Sequence, residues 1–308
     1  MSTLIAAPVM RGPHTRLDLR RRQVQQQAFC AELARHAVRS LYQELSLYPK
    51  PGLVSLIDNG SHADMNAGTF MCSLFSLRHY FRAIAQAGMA GADFVEIKAL
   101  GMAAETRMLQ ATGGINTHRG AIFCLGMLCA AIAACEAKQI ALSPATIRAV
   151  LLIQWGDALM SHSMATPAQA TQHGVSHGLE VAAEHAVGGA REEAALGFPA
   201  LFEIALPQLQ ATLAAGRDAH CAKVDALFAL MAHVSDTNVY YRGGSAGAAL
   251  VREHSRTFLA AGGTAAQDWL VQAQQSHAQF VALRLSPGGA ADLLAASCLV
   301  QAVCTAAA

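Results

Sequence analysis

Residues 23–54 read QVQQQAFCAELARHAVRSLYQELSLYPKPGLV, an apolar helical stripe that runs straight into two prolines. Phe29, Leu33, Ala37, Leu41 and Leu45 recur every fourth position, the repeat that stacks side chains on one face of an α-helix. Proline lacks an amide donor and restricts the residue before it, so Pro49 and Pro51 end the helix and open a loop. The same pattern, stripe then break, recurs down the chain. Phe70, Leu74, Leu77 and Phe81 form a stripe over Thr69–Ala87, and Asp93 is placed to cap a helix reaching about Gln110. A further helix starts near His118 and ends at Lys138. Ser143-Pro144 joins a cap to a first-turn proline and opens a helix to about Met160. Helical pattern returns over Val175–Ala186, from Arg191, from Pro207, over Asp218–Val234, and at about 246–261, 264–282 and 288–304.

Strand signals are confined to Val239-Tyr240-Tyr241, and neither a fixed repeat nor a Pro- or Ser-rich linker interrupts the chain. The expectation is all-α: one catalytic domain over residues 23–308, built of roughly ten to twelve helices with functional loops between them, after a flexible arm at 1–22.

Composition supports helix packing over other classes. Hydrophobic residues make up 53% of the chain and charged residues only 14%, with aromatics at 6%. A net charge of +1 leaves no broad electrostatic grip for nucleic acid or an anionic membrane, so any anion site must be local. The eight cysteines include no CxxC pair and read as buried free thiols of a reducing compartment. The most apolar run, 121–134, is shorter than the ~18 residues of a membrane span and reads as a core helix. At the N-terminus the apolar patch Leu4–Met10 precedes the basic run Arg20-Arg21-Arg22, the reverse of a signal peptide. The sequence therefore predicts a soluble, cytoplasmic protein.

Chemistry concentrates in the breaks. Around Lys50, two prolines stiffen the backbone and Gly52 permits close approach, which suits a phosphate-binding point charge or simply a solvated lysine in a rigid turn. Asp58, His62 and Asp64 then supply two carboxylates and an imidazole within seven residues. These are hard-cation or phosphate chemistry, or else a helix cap beside a hydrogen-bonded histidine. Glu105 lies among apolar neighbours, and its adjacent Arg107 diverges by about 100° around the helix and makes a poor partner. In Thr112-Gly113-Gly114-Ile115-Asn116-Thr117-His118-Arg119-Gly120 glycines free the backbone while donors gather at a helix N-terminus, a ready anion site. A third loop, 236–244, offers Asp236, Asn238 and Arg242, the last able to grip phosphate through its planar fork. Asp292, after Pro287-Gly288-Gly289, is either a site acid or a first-turn complement to the helix dipole. His177, Glu180 and Glu184 share a helical face that reads as an exposed polar stripe or a metal-ligand stripe. The polar stretch 161–174 is a lid candidate.

Taken together, PKPGLV (49–54), GSHADM (60–65), GMAAExxM (101–108), TGGINTHRGAIF (112–123) and DTN (236–238) resemble the triphosphoribosyl-dephospho-CoA synthases, across nearly all of the chain after the arm. Each segment alone is weak; the set is specific. Residues 47–55 and 73–78 look more like the branch serving malonate decarboxylase than that serving citrate lyase. Asn66 stands where an acid commonly follows the Asp-Met pair, which puts a ligand role there in doubt.

The resemblance implies that ATP and 3′-dephospho-CoA yield 2′-(5″-triphosphoribosyl)-3′-dephospho-CoA and adenine, the product passing to prosthetic-group attachment on an acyl carrier protein. Under it, Lys50, Gly52, Gly113, Gly114, Asn116, Thr117, Arg119, Asn238 and Arg242 would bind substrate, and Asp58, Asp64 and Asp236 would share Mg²⁺. Glu105 would stabilise the oxocarbenium-like transition state or deprotonate the attacking hydroxyl, with His62 or His118 as alternatives. A homodimer is compatible with the sequence. The rival readings are a helical Mg-dependent ADP-ribosyl or nucleoside glycohydrolase and a non-catalytic nucleotide-binding accessory protein.

Overall fold

The computed structural model describes residues 16–164 and 189–306. Among them are twelve α-helices and no strand. They are α1 (Arg16–Leu45), α2 (Ala67–Ser76), α3 (Arg78–Ala90), α4 (Phe94–Ala111), α5 (Arg119–Ala137) and α6 (Pro144–Ser163). After residue 188 come α7 (Ala190–Ala195), α8 (Leu206–Ala214), α9 (Ala219–His233), α10 (Thr237–Ala260), α11 (Trp269–Ala282) and α12 (Gly288–Ala306). A π-helical turn (Ala200–Ala205) leads into α8, and a 3₁₀ turn (Gly263–Ala265) separates α10 from α11. The first helix begins by Arg16, so the boundary expected near residue 22 falls inside α1. The segment 165–174 of the lid candidate, the helix expected over Val175–Ala186 and the stripe His177, Glu180, Glu184 lie outside the described residues.

Two apolar helices carry the core. From Ala121 to Cys135, α5 is buried at every position but Phe123, and α12 is buried along most of its length. Both are long and apolar enough to cross a membrane, yet here 78% and 61% of those stretches are covered by other helices. α5 is enclosed by α1, α3, α4, α6 and α12, while α12 packs on α1, α5 and α9. The α3–α5 approach depends on Gly88, where a Cβ would meet the backbone of Ala130. Tyr80 Oη donates to Ile122 O at 2.8 Å and satisfies its hydroxyl across the same contact. Cys30, Cys124, Cys129, Cys135 and Cys298 are buried free thiols, and burial pushes each one up, Cys298 to about 12.

Side-chain caps set the helix starts. Asn66, the residue standing in the acid's place, accepts the Thr69 amide as the N-cap of α2. Asp93 caps α4, Ser143 and Thr146 form a capping box at α6, and Asp218 caps α9. The expected loop 236–244 is instead the first turns of α10. Asp236 caps that helix, and the glycine pair read as its end is a kink at Gly244, with φ 57° and ψ −158°. The strand-like run at 239–241 is helical.

Candidate active site

Between these helices lies a cleft of about 1780 Å³. Pockets that hold one small ligand span roughly 300–1,000 Å³, so this one has room for two nucleotide-sized molecules. One wall is a single face of α4: Lys98, Gly101, Met102, Glu105 and Leu109, at the three- and four-residue spacing of one helical face. At the floor the first turns of α5, α10 and α12 meet, bringing in His118, Arg119, Gly120, Asp236, Asn238, Gly289 and Asp292. Helix N-termini carry partial positive charge, so this floor favours electron-rich ligands although the chain has almost no net charge.

Two aspartates answer those helix starts. Asp236, buried, accepts from Asn238 N at 2.9 Å in α10 and from Ala290 N at 3.0 Å in α12. Burial raises its pKa, against the pull of those backbone amides. Asp292 takes the Ala121 amide of α5, and burial raises it well above the usual carboxylate range, reinforced by Glu44 and Asp236. Its carboxyl lines the cleft. A Cβ on Gly120 would collide with its Oδ2, so glycine is what lets Asp292 lie against α5.

Beneath the floor Lys50 and Glu44 make a buried ion pair, Nζ to Oε1 at 2.5 Å, with side chains 1% and 6% exposed. Burial drives Lys50 down and Glu44 up, and each partner opposes the other's shift. Glu44 touches the cleft and Lys50 does not.

Two histidines of the cleft, His62 and His118, are held below the ordinary imidazole range. Burial, then the Arg242 guanidinium, push His62 down to about 4. Arg242 Nη2 lies 3.2 Å from His62 Nδ1 and Ser286 Oγ lies 2.8 Å from Nε2. Arginine only donates, so Nδ1 accepts and Nε2–H points at Ser286. His118 is 2% exposed, and burial, then Lys50, push it down to about 3. Its Nδ1 lies 2.6 Å from Ser73 Oγ, and its Nε2 is buried without a partner among the described residues. Glu105 and Arg119 form an ion pair across the cleft between α4 and α5, each about one-third exposed. It replaces the poor Arg107 pairing.

Of the residues expected at the site, His62, Asp64, Glu105, Asn116, Thr117, His118, Arg119, Asp236, Asn238 and Arg242 line this one cleft. Five do not. Lys50 turns inward and pairs with Glu44 away from water. Gly52, at φ 71°, packs on the Leu285 carbonyl, leaving no space for a Cβ. Asp58 accepts the Gly60 amide at 2.8 Å and faces His277 at 3.3 Å, so it is not gathered with Asp64 and Asp236. Gly113 and Gly114 form an open left-handed turn with nothing near their missing side chains. Arg242, expected as a phosphate fork, braces the walls through Ser61 O and Arg284 O, both at 3.3 Å. Asn116 spends its oxygen on the Arg119 amide at 3.2 Å.

Sequence reading passed over Glu44, Ser73 and Lys98. Glu44 had a signal: it stands between Leu41 and Leu45 in an otherwise apolar stripe, and an acid there needs a buried partner. Ser73 and Lys98 carried none.

The model of the ATP:dephospho-CoA triphosphoribosyl transferase family matches residues 30–307. A probable 2-(5″-triphosphoribosyl)-3′-dephosphocoenzyme-A synthase of Acinetobacter calcoaceticus is 37% identical over 270 residues, 85% of this chain and 90% of that one. Like-named proteins of Pseudomonas fluorescens Pf-5 and Pseudomonas putida are each 40% identical, over 88% and 86% of this chain and 91% of each of theirs. No solved structure matches. Since the matched span contains every segment of the cleft, the chain belongs to the ATP:dephospho-CoA triphosphoribosyl transferase family.

Proposed function

We propose that the cleft transfers the triphosphoribosyl group of ATP to the 2′-hydroxyl of 3′-dephospho-CoA, releasing adenine. One observation carries this reading. All five segments behind the family resemblance contribute lining residues, from Leu53-Val54 through His62-Asp64, Gly101-Glu105 and Asn116-Arg119 to Asp236-Asn238.

In this reaction the ribose C1–N9 bond breaks and its electron pair leaves with adenine. The attacking oxygen bonds to C1, and the hydroxyl proton is in effect exchanged for the one adenine takes up. Electrostatic stabilisation of charge that develops at the transition state is the largest lever such a site has. Glu105, held by Arg119, is the carboxylate for the ribosyl cation or the hydroxyl proton. Asp292 is the acid suited to give adenine its proton, as raised-pKa carboxylic acids do in glycoside cleavage. Lys98 and Arg119 are the cations placed to hold phosphate, while Arg242 keeps the walls together.

Mg²⁺ would arrive on the triphosphate. No three His, Cys, Asp or Glu side chains converge as a protein-only cage among the described residues, which fits an ion that takes one or two carboxylates and completes its shell with phosphate oxygens. Asp64, with a 63% exposed side chain, would hold it; Asp58 and Asp236 are occupied elsewhere. The ion would neutralise phosphate charge. The adduct would serve as prosthetic-group precursor for the acyl carrier protein of malonate decarboxylase or, in the other branch, citrate lyase.

Mass spectrometry of protein, Mg²⁺, ATP and 3′-dephospho-CoA should find free adenine and the triphosphoribosyl adduct in equal amounts. Adenine released equally well without dephospho-CoA would make the protein a hydrolase. Intact ATP after long incubation would make it a binding protein.

A further inference from the structure

Among the described residues His118 Nε2 has no hydrogen-bond partner although it is shut away from bulk solvent, and its residue lines the cleft. A buried polar atom without a partner is uncommon and costs about 1–3 kcal/mol. Around it the environment is thoroughly built. Phe70 sets its ring edge against the imidazole, centroids 4.9 Å apart at 74°. Thr117 Oγ1 lies 2.7 Å from Ser73 Oγ, and Ser73 Oγ lies 2.6 Å from His118 Nδ1.

The relative strength of the acceptors favours one arrangement of the protons. Thr117 Oγ1 also lies 3.2 Å from Met108 Sδ, but a thioether is a weak acceptor beside a hydroxyl oxygen. Thr117 therefore donates to Ser73. Ser73, its oxygen engaged, turns its own proton onto His118 Nδ1. Nδ1 is then an acceptor, and a neutral imidazole carries its hydrogen on the other nitrogen. The charged group whose field reaches the ring is Lys50, and it opposes a second proton.

We propose that His118 donates Nε2–H to a ring nitrogen of the departing adenine, and that Ser73 is a positioning residue that imposes this tautomer through the Thr117–Ser73 relay. The assignment rests on the proposed ATP reaction. Its reasoning is electrostatic. An uncharged donor gives little to a phosphate that cations already hold. It gives most where electron density grows as the bond breaks, and in the C1–N9 cleavage that place is the purine ring. A tautomer locked beforehand needs no reorganisation at that moment. His118 is thereby a donor rather than the base that the sequence offered as an alternative.

Two measurements test it. In protein labelled with ¹⁵N-histidine, long-range ¹⁵N–¹H spectra, with His118 identified by its loss in His118→Gln, should give an Nε2–H tautomer unchanged from about pH 5 to pH 8. Ser73→Ala should convert it to a tautomer mixture, and Ser73→Thr should restore it. An Nδ1–H tautomer in the unaltered protein, or a spectrum indifferent to Ser73→Ala, overturns the relay. Removing one preorganised donor costs ~10²–10³ in turnover. His118→Gln, checked for folding by circular dichroism, should therefore slow saturated adenine release about 100-fold or more while ATP affinity changes only a few-fold, and Ser73→Ala, which keeps the donor in part of the molecules, should lose only the fraction of turnover that matches its lost Nε2–H tautomer. An equal loss of ATP affinity would place the contact in the ground state and overturn the leaving-group assignment. If the unaltered protein releases no adenine, the proposed function fails while the tautomer result stands by itself.

Discussion

Lys50 and Glu44 illustrate how much one buried contact decides. Removing one partner strands the other charge away from water, which costs about 3–5 kcal/mol, whereas replacing both with apolar groups is often neutral. Lys50→Met should accordingly lower the unfolding free energy by about that much, and Glu44→Leu with Lys50→Met should recover most of it in urea titrations. Recovery is the informative result, because a lysine bound for phosphate would gain nothing from loss of Glu44. His118 yields a pH prediction. Its folded-state pKa, about 3, lies below the ordinary 6.5, so the unfolded chain takes up the proton first as pH falls. Its contribution is complete above about pH 6.5 and is lost as pH drops toward 3. Relative to His118→Gln, the unaltered protein should lose about 1.4 kcal/mol per pH unit across that window. Sequence named His118 but not its protonation state. Burial and Lys50 decide that, and neither is encoded near position 118. Lys50 itself was misread because prolines fix where a backbone goes without fixing which way the side chain turns.

At the scale of elements, start signals carried most of the information. Asp93, Ser143-Pro144 and Asp218 begin the helices they were expected to begin, because a cap acts on its own next three residues and needs nothing distant. Asp236 obeys the same local rule, yet Asp-x-Asn suggested a metal or ribose ligand. Its second acceptance, from Ala290 fifty-four positions on, could not be read locally at all. Losing a side-chain cap costs about 1 kcal/mol and up to about 2. Asp236→Ala removes the acceptor from two helices and should destabilise by about 2–4 kcal/mol, with faster amide exchange at the starts of both α10 and α12. Exchange confined to α10 would mean that α12 holds its own start. The glycine pair at 243–244 misled for the converse reason. Packing on both sides carries a helix through a kink that local propensity alone would make an end.

At the scale of the molecule, helix count and class followed from periodicity, while the cleft depended on which helices meet. Repeating stripes say that each helix has an inner face but not which neighbour covers it, so the Lys50 partner of Glu44 and the approach of Asp292 to α5 emerge only from packing. The exposed carboxylate of Asp64 in the cleft gives the proposed sharing of Mg²⁺ with phosphate a measurable form. Calorimetric titration of Mg²⁺ into nucleotide-free protein should give negligible heat, and Mg²⁺ with ATP should give a saturable signal weakened by Asp64→Ala. Strong binding of Mg²⁺ alone would contradict the sharing of ligands between Asp64 and phosphate. The floor of the cleft joins His62 and His118 to Gly289 and Asp292, residues that leave the ribosome long after the first two. A nascent chain can therefore wind its early helices and still own no usable pocket.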